Sequence, residues 1–408
     1  MGQVRRNNEQ FETAIAADYR GQIMRRGIDS GEVDAFARQR VSQPYTLFDS
    51  TLRYDKRADS WNETISGAAT STHNINQSSV FMSVTTASGD GVLRRTRRRF
   101  PYQPGKGILC MASFAGAPLQ DGLIQEVGLF DDNNGVILRA SGTTLQFVIR
   151  GKYSGSVTEN VVNQDQWNMD TAEWLDFSKA NIFTTDLEWL GAGRVRCGFV
   201  LDGEYYYCHE FLHANNIEQV YMTSAVLPLS YRIATNKVIA SGATMKQICS
   251  TVASEGGYEP YGEVYTVSPS LAAIANASGE RIVAGIRMAS GRTDNVVIPV
   301  KVDLVTEDST TIQWRLRRNP VASGVVWAAS DNGRGNVQTT SSGSIVSGGT
   351  VVNAGIYYSA GSVAIDVQDG LSLSLGVDAN GNSDELFLTV ASSGNAKATG
   401  MLGWIETL

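Results

Sequence analysis

The sequence predicts a mainly β protein: two antiparallel β-sandwich domains of jelly-roll type, preceded by a short N-terminal helical segment. Three observations lead there. From residue 46 onward the chain consists of short apolar runs separated by Gly-, Ser-, Thr- and Asn-rich turns, and its 41 glycines are what many tight turns require. Only residues 8–26 and 29–41 show patterns that suit helices. No helical pattern separates the later strands, so antiparallel sandwiches are favoured over a parallel α/β sheet.

The head, residues 1–45, is read as a docking or oligomerisation element. Phe11, Ile15, Tyr19 and Ile23 recur every four residues, with alanines between them and Met24 beside the last. Arg25 and Arg26 sit where a helix end favours cations, and Gly27 is placed to terminate it. Asp29 followed by Glu32 resembles a capping box for a second helix to about Val41, with Val33 and Phe36 on its apolar face. Two such helices bury little against each other. Phe11, Ile15, Tyr19, Ile23, Met24, Val33 and Phe36 are therefore expected to form a protein interface.

Residues 46–253 read as the larger sandwich. Two apolar runs flank Asp131–Gly135, where Asn134-Gly135 predicts a hairpin because both residues tolerate positive φ. Asp202-Gly203 predicts a second hairpin between the runs 194–201 and 204–211. Residues 254–262, with paired glycines and Pro260's neighbourhood of turn formers, read as a linker. Residues 263–408 read as a smaller sandwich that ends on an apolar core strand.

Composition excludes some classes. The formal charge of −7 is too small to name an acidic or basic partner for the whole chain. No apolar run approaches the length of a membrane helix, and the start lacks an apolar signal core, so neither membrane insertion nor classical secretion is expected. The four cysteines form no CxxC pair and are expected as buried thiols in a reducing compartment.

Three histidines leave little for catalysis. His209-Glu-Phe-Leu-His213 matches HExxH formally, but it follows Asp-Gly and three tyrosines, so it is expected on a strand, without a third ligand. No metal, cofactor or catalytic residue is assigned, and the chain is expected not to be an enzyme. Paired carboxylates such as Asp131/Asp132 and Asp384/Glu385 keep a glycosidase open, since that chemistry needs two such groups and little else. The run Arg94-Arg-Thr-Arg-Arg-Arg99 would split across a strand's two faces, and the surrounding acids argue against nucleic acid. Arg94, Arg95, Arg97, Arg98 and Arg99 are expected either to pair with carboxylates of the same chain or to contact another subunit. The clustered aromatics, from Trp61 to Tyr231, are expected mainly in the core, with sugar stacking as the alternative.

Several segments together bring a family into view: Arg97-Arg-Arg-Phe-Pro-Tyr-Gln-Pro-Gly-Lys-Gly107, Gly128-Leu-Phe-Asp-Asp-Asn-Asn-Gly-Val136, Trp189-Leu-Gly-Ala-Gly-Arg-Val-Arg196, His209-Glu-Phe-Leu-His-Ala-Asn-Asn216, Ile248-Cys-Ser-Thr-Val-Ala-Ser-Glu-Gly-Gly257 and Gly403-Trp-Ile-Glu406. Their pattern resembles virion-associated structural proteins of tailed bacteriophages, over residues 94–408 and not over the head. The resemblance implies a non-enzymatic virion component (fibre, neck-associated or capsid-decorating), assembled in the host cytoplasm. Its partners would be neck, tail or capsid proteins and sister copies, as in a homo-oligomer such as a trimer. A host-receptor or glycan-binding adhesin is the alternative, and a polysaccharide hydrolase or zinc protease the more distant one.

Overall fold

Sheets account for nearly all of the regular structure. The structure, a computed structural model, describes residues 15–17, 23–25, 43–267, 272–274, 279–306, 311–330, 335–358, 360–364, 372–378 and 380–407. Residues 1–44 and 45–408 form two separate units.

In the head, β1 (Ile15–Ala17) pairs antiparallel with β2 (Ile23–Arg25), with Ile15 opposite Arg25. This corrects the helix expected over 8–26 at the described positions. Ile15 and Ile23 lie eight residues apart, a spacing that suits the two-residue alternation of a strand as well as a helical repeat. Of the predicted interface residues, Ile15, Ile23 and Met24 fall in these strands. Phe11, Tyr19, Val33 and Phe36, and the second predicted helix, lie outside the described residues.

The first sandwich begins with β3 (Tyr45–Thr51), β4 (Trp61–Ser66), β5 (Thr70–Asn74), β6 (Ser79–Val84) and β7 (Gly91–Thr96). It continues through β8 (Ile108–Ala115), β9 (Leu123–Phe130), β10 (Gly135–Ser141), β11 (Thr144–Gly151) and β12 (Thr158–Asn163). β13 (Ala180–Leu187), β14 (Val195–Leu201), β15 (Glu204–Phe211), β16 (Leu229–Thr235) and β17 (Ala243–Ser254) complete it. One sheet has the order β12-β11-β10-β9-β16-β7-β4; the other has the order β15-β14-β13-β8-β17-β6-β5, with β3 also on β17. Strict alternation, as in β8, turns Ile108, Cys110, Ala112 and Phe114 into the core between the sheets. Phe147 sits at the centre of this core, 4.1 Å from the Trp167 ring and within reach of Phe183 and Phe199.

The second sandwich opens with β18 (Glu263–Val267), β19 (Ala272–Ile274), β20 (Arg281–Met288), β21 (Val296–Thr306) and β22 (Thr311–Arg318). The short strands β23 (Val321–Ser323), β24 (Ala328–Ala329), β25 (Val337–Thr340) and β26 (Ser344–Ser347) follow. The last are β27 (Thr350–Tyr358), β28 (Ala360–Ala364), β29 (Glu385–Ser392) and β30 (Ala396–Thr407). β18-β30-β21-β28 form one sheet and β23-β26-β20-β29-β22-β27 the other, around a core of its own that includes Trp314, Leu388 and Trp404.

Both predicted hairpins form, by different means. Asp202 and Gly203 adopt φ of 53° and 87°, as a two-residue hairpin turn demands. Asn134 and Gly135 do not adopt positive φ; instead the Asp131 carboxylate accepts the N–H groups of Asn133 (2.7 Å) and Asn134 (2.8 Å) and shapes the turn. Cys110, Cys197 and Cys208 are buried free thiols, while Cys249 is exposed, because a register shift in β17 between Gln247 and Ser250 turns it outward.

The arginine run organises the first sandwich and its contact with the second. Alternation in β7 sends Arg94 into the core, fully buried. Its guanidinium donates to Gln247 Oε1 (2.5 Å), to the Lys56 carbonyl (2.7 Å) and to Glu63, and lies over the Trp61 ring. Burial pulls its pKa down to about 10, so it remains charged at neutral pH. Arg95 faces outward and donates to Asp132, Arg99 donates to Asp131, and Arg98 lies over the Phe48 ring. Arg97 reaches the second sandwich, donating to Asp384 Oδ1 (2.8 Å) and to Asn62. Asn62 in turn donates to the Val377 carbonyl, and the Val377 N–H donates to the Arg97 carbonyl. Beside this polar seam, Val296 and Ile298 pack on Tyr45, Val226 and Tyr258. The described structure thus places the arginines against this chain's own groups.

Replacing Arg94 by Ala should lower unfolding stability by about 3–5 kcal/mol, because Glu63 and Gln247 lose their buried donor. Lys237→Ala, which removes a pair between two exposed side chains, Lys237 and Asp121, should cost less than about 1 kcal/mol. Urea unfolding of the two variants checks this, and equal losses would contradict the burial argument.

Candidate functional site

The outer face of the β15-β14-β13 half of the first sandwich gathers the groups with the most chemical potential. Asp186, near the end of β13, stands directly opposite Arg196 on β14. The Arg196 Nε donates to Asp186 Oδ1 at 2.9 Å, and its Nη2 donates to Oδ2. Tyr207 of β15 donates its hydroxyl to the same Oδ2 at 2.6 Å, and the Arg196 guanidinium lies 4.2 Å from the centre of the Tyr207 ring. A bulge makes this reach possible: Cys197 pairs with His209 but Gly198 pairs with Tyr207, leaving Cys208 as the extra residue. Gly198 is required there, since a Cβ would lie 2.1 Å from the Tyr206 carbonyl oxygen.

Glu255 approaches from the end of β17. Its N–H donates to the Gly107 carbonyl at 2.8 Å, and its Oε2 lies 2.9 Å from where a Cβ on Gly107 would stand. Its side chain accepts no hydrogen bond from the described residues. Burial raises its pKa and the negative charge of Asp186 raises it further, against a smaller opposing pull from Arg196. Asp186 and Glu255 line one cleft of about 180 Å³, walled by Tyr102, Lys106, Arg194 and Arg196. Alongside it the rings of Tyr205 and Tyr207 are stacked 6.1 Å apart, and the Tyr205 hydroxyl donates to Met111 Sδ.

Two carboxylates in one cleft, one clamped by a guanidinium and a phenol and the other protonated more readily than an ordinary glutamate, are the components of acid–base chemistry. The sequence held a partial sign of this arrangement. Asp186 and Arg196 flank the turn between two predicted strands, so their cross-strand pairing was within reach of a register argument. Glu255 reaches them only through the pairing of β17 with β8, which leaves no local trace.

The other sequence candidates are engaged elsewhere. Asp131 and Asp132 pair with Arg99 and Arg95, and Asp384 and Glu385 with Arg97 and Arg287. His209 lies on β15 as expected, and its Nδ1 accepts the Asn168 N–H at 3.2 Å. His213 is 2.7 Å from the Gly193 carbonyl, with its ring stacked 4.0 Å from that of Tyr221. Among the described residues no group of three His, Cys, Asp or Glu is arranged to hold a metal ion. Of the aromatics expected in the core, Trp61, Trp167, Tyr221 and Tyr231 are there, whereas Trp174, Tyr205 and Tyr206 are exposed.

No family model matches the chain, and no curated protein matches it. Among solved structures it is similar to a glycosyl hydrolase family protein from Mycobacterium fortuitum (10% identity, 51% of this chain and 99% of the other, TM-score 0.38). It is similar also to a family 16 glycoside hydrolase from Bacteroides ovatus in complex with its product (10%, 50% and 99%, 0.36). A third is a family 16 glycosyl hydrolase protein from Mycobacterium smegmatis (11%, 51% and 100%, 0.36). These likenesses concern the fold, and none of the three is a virion protein. The expectation of a non-enzymatic structural protein finds no counterpart among them, and the cleft removes its premise. That expectation took scarcity of histidine for scarcity of reactive groups, and the cleft is built from carboxylates instead.

Burial lowers the pKa of His209 to about 4 from 6.5, so the folded chain holds it neutral where the unfolded chain takes up a proton. Its contribution to stability is full above pH 6.5 and is lost as pH falls toward 4. His209→Asn should flatten the stability–pH curve in that window, measured by denaturant titration at several pH values. A slope unchanged from the parent chain would contradict the assignment.

Proposed function

We propose that this chain is a carbohydrate-active β-sandwich protein that hydrolyses a polysaccharide at the Asp186–Glu255 cleft. The observation that carries the proposal is the pairing of two unlike carboxylates in one cleft beside stacked tyrosine rings, Tyr205 exposed and Tyr207 half-buried. A sugar ring presents an apolar face that stacks on an aromatic side chain, and the Tyr205–Tyr207 pair offers such a platform next to the acids.

The chemistry needs no metal. Glu255, raised by burial and by Asp186, gives its proton to the glycosidic oxygen as the bond from that oxygen to the anomeric carbon breaks. The positive charge that develops on the sugar lies near Asp186, which Arg196 and Tyr207 hold in one orientation. Water adds its hydroxyl to the anomeric carbon, and its proton passes to Asp186 and then to solvent, which also restores the proton on Glu255. Glu255 must be protonated to act, so activity should fall as pH rises through its elevated pKa.

Release of reducing ends from a panel of neutral polysaccharides, mixed-linkage glucan among them, tests the proposal. Glu255→Gln and Asp186→Asn should each lower turnover by about 10²–10⁴-fold while the fold is retained. Absence of release by the parent chain across the panel, or full activity in both variants, would overturn it.

A further inference from the structure

A cavity of about 630 Å³ lies away from this cleft, at the seam between the two sandwiches. Its size falls within the range of roughly 300–1,000 Å³ typical of ligand sites. Arg97 enters it from the first sandwich, and Asp378, the loop 381–385 and the ends of β20 and β25 wall it from the second.

The chemistry of the lining selects a ligand class. Its charged groups are already paired: Arg97 with Asp384 at 2.8 Å, and Arg287 with Glu385 at 3.0 Å. Asp378 is held by its own loop, accepting the N–H groups of Asn380 (2.9 Å) and Asn382 (2.8 Å). Two arginines against three acids give the lining no positive surplus to attract an anion. Apolar groups are few, chiefly Met288 and Pro320, so an apolar ligand would leave the polar wall unsatisfied. What remains unengaged is neutral: the hydroxyls of Ser290 and Thr293, which donate and accept, and the donating amide NH₂ of Gln338, whose carbonyl oxygen already accepts from Arg287.

From this we infer that the seam cavity is a second binding site for a neutral oligosaccharide, separate from the Asp186–Glu255 cleft. Sugar hydroxyls both donate and accept, as the free hydroxyls and amide there require, and they carry no charge to disturb the paired arginines. A ligand seated there touches both sandwiches, so its binding also tightens the Arg97–Asp384 seam. The assignment rests on the lining of this cavity and is independent of hydrolysis at the other cleft.

Isothermal titration of the full chain carrying Asp186→Asn and Glu255→Gln, with cellotetraose or laminaritetraose as probe, separates the two sites. Two sites per chain are expected. Thr293→Trp, which fills the cavity, should remove one of them, and Gln338→Ala should weaken the same one at least tenfold. Tyr205→Ala should affect only the other. Seam binding that survives when the parent chain proves inactive leaves this inference standing while hydrolysis falls. Titration curves that neither Thr293→Trp nor Gln338→Ala alters would overturn the inference. So would heat from calcium alone that Asp378→Asn abolishes, without any seam response to sugar, since the site would then belong to a cation.

Discussion

Arg94 is a charge placed inside an apolar sandwich, and much of the architecture follows from satisfying it. A buried guanidinium is tolerated only when its donors find acceptors, and here Glu63, Gln247 and the Lys56 carbonyl converge on it from three other parts of the chain. Gln247 belongs to β17, the strand that also pairs with β3, β6 and β8. The same run of residues then leaves the core. Arg95, Arg97 and Arg99 bind Asp132, Asp384 and Asp131, so one stretch of chain fixes the core of one sandwich and its seam with the next.

That frame sets where chemistry is possible. β17 ends at Ser254, and its pairing with β8 carries Glu255 to the Gly107 backbone, within the field of Asp186. The two acids meet because the sheet is held in register and not because their sequences are near. Arg196 and Tyr207 occupy Asp186, while burial and a like charge outweigh the pull of Arg196 at Glu255, and opposite surroundings are what divide acid from base. A β body poor in histidine therefore need not be chemically silent.

The legible part of the fold was local. Turn residues at Asp131–Gly135 and Asp202-Gly203 placed two hairpins, though at the first the side chain of Asp131 does the work expected of positive φ. Strand alternation separated Arg94 from Arg95 correctly, because Val92, Arg94 and Thr96 share the inward face. The first half of HExxH was legible as strand from its Asp-Gly turn and tyrosines, whereas His213 falls past the end of β15. What could not be read was long-range. Asn62 meeting Val377 and Arg97 meeting Asp384 depend on packing between sandwiches, and Glu255 meeting Asp186 depends on a sheet order no local pattern encodes. In the head, an interval that suits strand and helix alike was read as helix at Ile15–Ala17 and Ile23–Arg25, where the chain forms strands.

The coupling between Asp186 and Glu255 is the centre of this account, and carbon-detected NMR titration of the Glu255 carboxyl measures it directly. In the parent chain Glu255 should titrate above its ordinary value of 4.5, and Asp186→Asn should bring it down, since a like charge is removed and Arg196 is left without its partner. A Glu255 that titrates at the ordinary value, and does not move when Asp186 is neutralised, would contradict it.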